Sequence, residues 1–119
     1  MTNLKKEHFV QFEGMVHTIV VIKDGIARLC NGQDVDYDLL APIEIGGPFD
    51  KRFTLVNDLI RFPCGVVKNE PVKPYIDCYV SQEMTISDVL KENPSIRFIH
   101  ELQDWLLTNT KGCRLARII

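Results

Sequence analysis

Two dipeptides constrain this chain more than any other feature. Asp24-Gly25 and Asn31-Gly32 each interrupt a run rich in β-branched residues. A two-residue hairpin turn needs positive φ at both central positions, and Asp-Gly and Asn-Gly tolerate that best. The flanking runs are "HFVQFEGMVHTIVVI", "IARLC" and "DVDYDLL". Residues 8–40 are therefore expected to form a three-stranded antiparallel meander. The first run is longer than an ordinary strand and holds Gly14 near its middle, so a bulge or sharp bend is expected there. A strand bent in this way can serve two sheets at once, as the corner strand of a small barrel.

Beyond Gly46-Gly47-Pro48 the pattern changes. Phe53, Val56, Leu59 and Ile60 recur at helical spacing behind Asp50, a candidate N-cap. This spacing predicts a helix over 51–62, with a strand at "RFTLV" as the alternative. Pro63 ends the element in either case. "CGVVK" and "KPYIDCYVS" read as two further strands. In the second, Ile76, Cys78 and Val80 fall on one parity and Tyr75, Asp77 and Tyr79 on the other. Alternation then sends the aliphatic trio inward and both tyrosines to the outer face.

The last third is helical in character. Thr85 and Asp88 resemble a capping box and open a short helical turn reaching Asn93. Asn93-Pro94 is expected to start a second helix, with Ile96, Ile99, Leu102 and Leu106 as its apolar stripe, widened by Phe98 and Trp105. Gly112 ends it, and "CRLARII" closes the chain as a strand. The fold class expected is α+β, mainly β. It comprises a small antiparallel barrel with an internal helix at 8–81 and a helix-strand extension at 82–119, within a single domain of 119 residues.

Charge and cysteine usage narrow the function. The formal net charge of −2 argues against sequence-independent binding of duplex by a basic surface. Residues 33–50 hold Asp34, Asp36, Asp38, Glu44 and Asp50 with no Lys or Arg. No apolar run approaches the ~18 residues of a membrane span. The N-terminus has no apolar stretch behind its lysines, so a cytoplasmic location is expected, host cytoplasm if the gene is viral. Cys30, Cys64, Cys78 and Cys113 form no C-x-x-C pair, and His8, His17 and His100 are scattered. Free buried thiols are expected, with no metal site and no cofactor. "DVDYD" fails as a calcium loop, since Leu39 stands where glycine is needed and Ile45 where glutamate is needed. Asp34, Asp36 and Asp38 are instead expected on one solvated strand face. His17 reads as a hydrogen-bonded structural histidine, and His100 as an exposed one. Neither a nucleophile motif nor a phosphate loop is present, so an enzyme is not expected.

What remains is the surface aromatic pattern. Tyr75 and Tyr79 on one strand face would stand about 13 Å apart. Flat rings on a sheet are the platform for unpaired bases, each stack contributing ~1–3 kcal/mol. Lys68, Lys73 and Arg28 are the candidate phosphate contacts. The competing expectation is that a tyrosine packs beneath the C-terminal helix.

The element order, from "HFVQFEGMVHTIVVI" and "IARLC" through "DVDYDLL" and "KRFTLVNDLIRF" to "CGVVK" and "KPYIDCYVS", resembles the OB-fold over residues 8–81. It is most similar to the small single-stranded DNA-binding proteins of bacteriophages. The resemblance implies binding across strands two and three, at Arg28, Tyr37 and Lys23, with Tyr75 and Tyr79 beside them. Two features depart from it: the extension at 82–119, and the carboxylates of "DVDYD", which repel phosphate. The function expected is single-stranded nucleic-acid binding, DNA above all, in replication or recombination. The alternative is a non-enzymatic viral or accessory protein-binding module, an inhibitor, adaptor or assembly component, acting through its acidic 34–50 segment. Self-association through the last strand is a further expectation, and no membrane partner is expected.

Overall fold

Both dipeptides turn the chain, but only Asp24-Gly25 does so as a two-residue turn with positive φ at both positions; at the second, Gly32 alone takes positive φ within a loop over residues 30–33. Asp24 and Gly25 have φ of 53° and 77°, and Gly32 has φ of 89°. The computed structural model describes residues 3–57, 63–68 and 73–119. At Gly14 a third tight turn replaces the expected bend: Glu13 and Gly14 both take positive φ, 52° and 76°. The long first run is thus a hairpin of β1 (Phe9–Phe12) and β2 (Met15–Lys23), in register from Phe9↔Thr18 to Phe12↔Met15. Glutamate seldom takes positive φ, so Glu13-Gly14 carries little turn signal. Pairing of the apolar flanks imposes the turn. With β3 (Ile26–Leu29) and β4 (Asp34–Asp36) the meander has four strands, in the order β1-β2-β3-β4. A bulge does occur, but between Ile19 and Val21.

Residues 53–57 are a strand, β5 (Phe53–Asn57), where helical spacing predicts a helix; positions 58–62 of that expected helix lie outside the described residues. Five residues cannot separate the two periods, and the pairing partner decides. That partner is β7 (Cys113–Ile118), aligned from Phe53↔Arg117 to Asn57↔Cys113. Asp50 caps no helix here; its Oδ1 accepts the Gly46 N–H at 2.9 Å and the Tyr75 hydroxyl at 2.5 Å. The closing strand is the centre of a second sheet, β5-β7-β6, in which β6 (Val66–Val67) runs parallel to it.

The molecule is α+β, mainly β. Its described strands form two sheets and do not close into one barrel. A single bridge, Gln11↔Ala41, brings the chain after β4 back to the edge of β1. Arg117 ties the sheets together from β7: its Nε donates to Thr18 Oγ1 at 3.0 Å and its Nη1 to the Val16 carbonyl at 3.2 Å.

"KPYIDCYVS" is not a strand. The Asp77 N–H donates to the Pro74 carbonyl and the Cys78 N–H to the Tyr75 carbonyl, winding Tyr75–Asp77 into a single tight helical turn. The turn ends the alternation and sends the Tyr75 ring inward. Tyr75 is 1 % exposed, edge-on to Phe53, in a core with Phe9, Ile86, Val89, Ile99, Leu102 and Leu106. A second cluster of Val10, Phe12, Ile19, Leu29, Val35 and Leu40 fills the concave side of the meander. Phe9 and Val10 alternate on β1, so this one strand divides the two cores.

The capping box opens α1 (Ile86–Glu92) as expected. The Asp88 N–H donates to Thr85 Oγ1 at 3.2 Å, and the Thr85 N–H to Asp88 Oδ2 at 2.9 Å. Thr85→Ala is expected to destabilise the fold by about 1 kcal/mol, read as a lower urea midpoint at unchanged slope. Asn93 does not start the next helix; its side chain closes α1 by donating to the Val89 carbonyl at 2.8 Å. Pro94 disfavours helical geometry at the residue before it. Helix α2 (Ile99–Asn109) begins later, where Glu101 Oε1 accepts the Phe98 and Arg97 N–H groups. Ile99, Leu102 and Leu106 are buried, and Trp105 is half-buried.

Where four free thiols are expected, two are joined. Cys30 and Cys64 form a disulfide with Cα atoms 6.1 Å apart, leaving Cys78 and Cys113 as thiols. A sequence separation of 34 hides the pair; only the contact of the Asn31-Gly32 hairpin loop with the turn before β6 brings them together. Among the described residues no helix is long and apolar enough to cross a membrane.

Candidate interaction surface

The outer face of the meander carries the clearest constellation. Register places Val21, Arg28 and Asp34 in one row across β2, β3 and β4, and Lys23, Ile26 and Asp36 in the next. Their in-between neighbours Ala27, Leu29 and Val35 are buried on the other side, so strict alternation delivers these six side chains to solvent. Val21 and Ile26 are 44 % and 40 % exposed. Arg28 does project outward, as expected, but it is engaged: its Nε and Nη2 donate to the two Asp34 carboxylate oxygens at 2.9 and 3.2 Å. This fork raises the Arg28 pKa and holds the Asp34 carboxyl below its usual range. A phosphate would have to displace a carboxylate already in place.

Strand β4 is the sheet's edge, and among the described residues nothing pairs with its outer side. The bonds from the Tyr37 N–H to the Gly25 carbonyl and from the Leu29 N–H to the Gln33 carbonyl set which residues face β3. Gln33, Val35 and Tyr37 point their backbone groups inward to β3. Asp34 and Asp36 therefore turn theirs outward. Asp36 and, in the turn after it, Asp38 are exposed along this border, and Leu39 stands open beside them; Glu44, also exposed, pairs instead with Phe98 before α2.

The other residues expected to bind nucleic acid are dispersed. Tyr37 lies half-buried in a tight turn, Tyr37–Leu39, where its hydroxyl accepts the Leu4 N–H at 2.9 Å and donates to the Leu4 carbonyl at 3.2 Å. Lys68 is exposed just after β6, in the second sheet. Tyr75 is enclosed by α1 and α2 residues and cannot act as a platform for a base; burial and the neighbouring Asp50 push its phenol pKa far up. Lys73 and Tyr79 are the one expected pair the fold brings together. The Lys73 ammonium lies 5.9 Å from the ring centroid of Tyr79, which is 58 % exposed. The edge strand and its outward backbone groups were missed by sequence reasoning. The signal available was the shortness of "DVD" between a turn and "YDLLAP", which leaves no later strand to cover it.

All three histidines are buried. His8 uses both nitrogens: Nδ1 accepts the Lys5 N–H at 2.8 Å and Nε2 donates to Asp104 Oδ1 at 2.8 Å. His100, expected to be exposed, is 4 % exposed, stacked on Phe98 and tilted against His8. It lies on the inward side of α2 next to Ile99. Burial and the His8 ring hold its pKa below 6.5, and burial with Arg117 does the same for the buried His17. Both rings bind protons more readily in the unfolded chain. Their contribution to stability is full above pH 6.5 and is lost as pH falls from there through the depressed folded values. Melting temperatures measured between pH 7.5 and pH 5 are expected to fall with pH, and His100→Phe is expected to flatten that slope. Among the described residues no three His, Cys, Asp or Glu side chains converge as a metal ion requires.

Comparison with known protein families, curated proteins and solved structures finds no match to this chain.

Proposed function

We propose that this chain is a non-enzymatic protein-binding module whose β4 border receives a basic, extended segment of a partner. The observation that carries this reading is the combination of outward-turned backbone groups on β4 with the exposed Asp36 and, in the turn that follows, the exposed Asp38. An added strand gains main-chain hydrogen bonds along such an edge, and alternate side chains supply specificity. Charge selects the occupant. Two β4 edges paired with each other would set aspartates against aspartates, which is unfavourable, whereas lysines and arginines on a partner strand complement them. Val21 and Ile26 give the adjoining face an apolar centre.

The single-stranded nucleic-acid reading keeps one specific support, the open Tyr79 ring beside Lys73. One stack and one cation form a smaller platform than the two-tyrosine strand, and the carboxylates of β4 oppose a phosphate chain. A role in replication or recombination, as in phage proteins of the OB type, depends on that platform. On compartment, the disulfide favours an oxidising setting over the expected cytoplasm, because cytosolic thiols are kept reduced.

The test is fluorescence anisotropy with two probes: a labelled Lys/Arg-rich extended peptide and a labelled oligothymidine. The peptide is expected to bind, to weaken with salt, and to lose at least about tenfold in affinity, roughly 1.4 kcal/mol, in the Asp36→Lys, Asp38→Lys double variant. Oligothymidine binding that vanishes in Tyr79→Ala, with no peptide binding, would replace this proposal by the nucleic-acid one.

A further inference from the structure

The Cys30–Cys64 bond joins the end of β3 in the first sheet to the turn that leads into the second. Cys30 follows β3 in the first sheet, and its N–H donates to the Thr18 carbonyl at 2.9 Å. Cys64 lies in the Pro63–Gly65 turn, which leads directly into β6 of the second sheet. That turn is conformationally costly. Cys64 sits in the left-handed region at φ 57°, followed by Gly65 at φ 66°, and a residue with a Cβ adopts this geometry only when its surroundings enforce it. Only glycine fits at position 65, where a Cβ would stand 2.9 Å from the Phe9 ring. Three things enforce the turn: the disulfide, the Thr18 hydroxyl donating to the Cys64 carbonyl at 2.7 Å, and contact with Phe9. Strand β6 adds a ladder of only two residues, Val66↔Arg117 and Val67↔Ile118, extended by the Ile119 N–H donating to the Val67 carbonyl.

We propose that the disulfide is a redox latch: its reduction releases the Pro63–Gly65 turn and β6, and so uncovers the edge of β7 for another strand. Both cysteines are partly open to solvent, and Cys64 also lines a cavity of about 490 Å³. A small dithiol reductant therefore has access. Its thiolate attacks one sulfur, the S–S bond breaks, and a mixed disulfide forms. Its second thiol then displaces the remaining cysteine. The reductant leaves as a cyclic disulfide, oxidised by two electrons, and Cys30 and Cys64 each end as a protonated thiol. The released turn sheds its left-handed residue, and a two-residue parallel ladder is too short to persist alone. The β2–β3 and β5–β7 pairings, which do not depend on the bond, stay.

The test is amide hydrogen exchange by mass spectrometry on the full chain, oxidised and after reduction with a dithiol. Thiol titration of the denatured, unreduced protein is expected to count only Cys78 and Cys113. On reduction, the amides of Val67 and Ile119 are expected to exchange at close to the rate of an unfolded chain, while those of β2 and β3, although faster because the whole fold is less stable, stay clearly protected. The Cys30→Ser, Cys64→Ser variant should match the reduced protein; should that variant fail to fold, reduction of the native chain carries the test alone. Unchanged exchange after reduction, an equal loss of protection in β6 and in β2 and β3, or four titratable thiols in the unreduced protein would each overturn the latch.

Discussion

Removing the Cys30–Cys64 bond is expected to lower the unfolding free energy by about 4 kcal/mol and the melting temperature by roughly 10–20 °C. The sign and size follow from loop closure. A separation of 34 residues gives the unfolded chain considerable freedom when the bond is absent, and that freedom grows with the logarithm of loop length. A chain of this length commonly has about 5–15 kcal/mol of stability. The reduced protein is thus expected to remain folded at room temperature, with a much smaller margin. Circular dichroism melts with and without reductant, and of Cys30→Ala with Cys64→Ala, measure the effect. Superimposable melts would show that the bond constrains nothing the fold does not already hold.

The second large effect belongs to Tyr75. Truncation to alanine is expected to cost about 3–5 kcal/mol, as for other buried aromatic rings. Its ring meets Phe53 edge-on and shares a core with the apolar faces of α1 and α2. Tyr75→Phe keeps the packing and removes only the hydroxyl bond to Asp50. Asp50 retains the Gly46 N–H, so a loss of about 1 kcal/mol is expected. Tyr79→Ala removes a mostly exposed ring and is expected to shift stability by less than about 0.5 kcal/mol. Denaturant unfolding of these three variants separates the two tyrosines. If Tyr75→Ala proved as stable as Tyr79→Ala, the inward placement of that ring would be wrong.

The two tyrosines show what periodicity can and cannot convey. A parity argument over "KPYIDCYVS" assumes a strand, and nothing in those residues contradicts one except Pro74. The turn wins because it lets Tyr75 fill the space between Phe53 and the helices while its hydroxyl reaches Asp50. That space is made by residues distant in the chain. The same holds for Phe53 to Asn57, where apolar spacing suits a helix but β7 offers a complete ladder. It holds again for Arg28, whose exposure was legible from its neighbours and whose occupation by Asp34 depended on cross-strand register. The acidity of residues 34–50 was plain in the sequence. That it lies along an unpaired edge was not, because an edge is defined by the strand that fails to arrive.

Local chemistry is what the amino-acid order determined unaided. The Asp24-Gly25 and Asn31-Gly32 turns, the Thr85–Asp88 capping box, the apolar stripe of α2 and the closing strand each depend on groups a few residues apart. Tertiary structure alone decided the division into two sheets, the burial of Tyr75 and His100, the Cys30–Cys64 bond and the open side of β4. Each of these depends on which distant segment comes to lie alongside, and that choice is made by the burial of apolar surface summed over the whole chain.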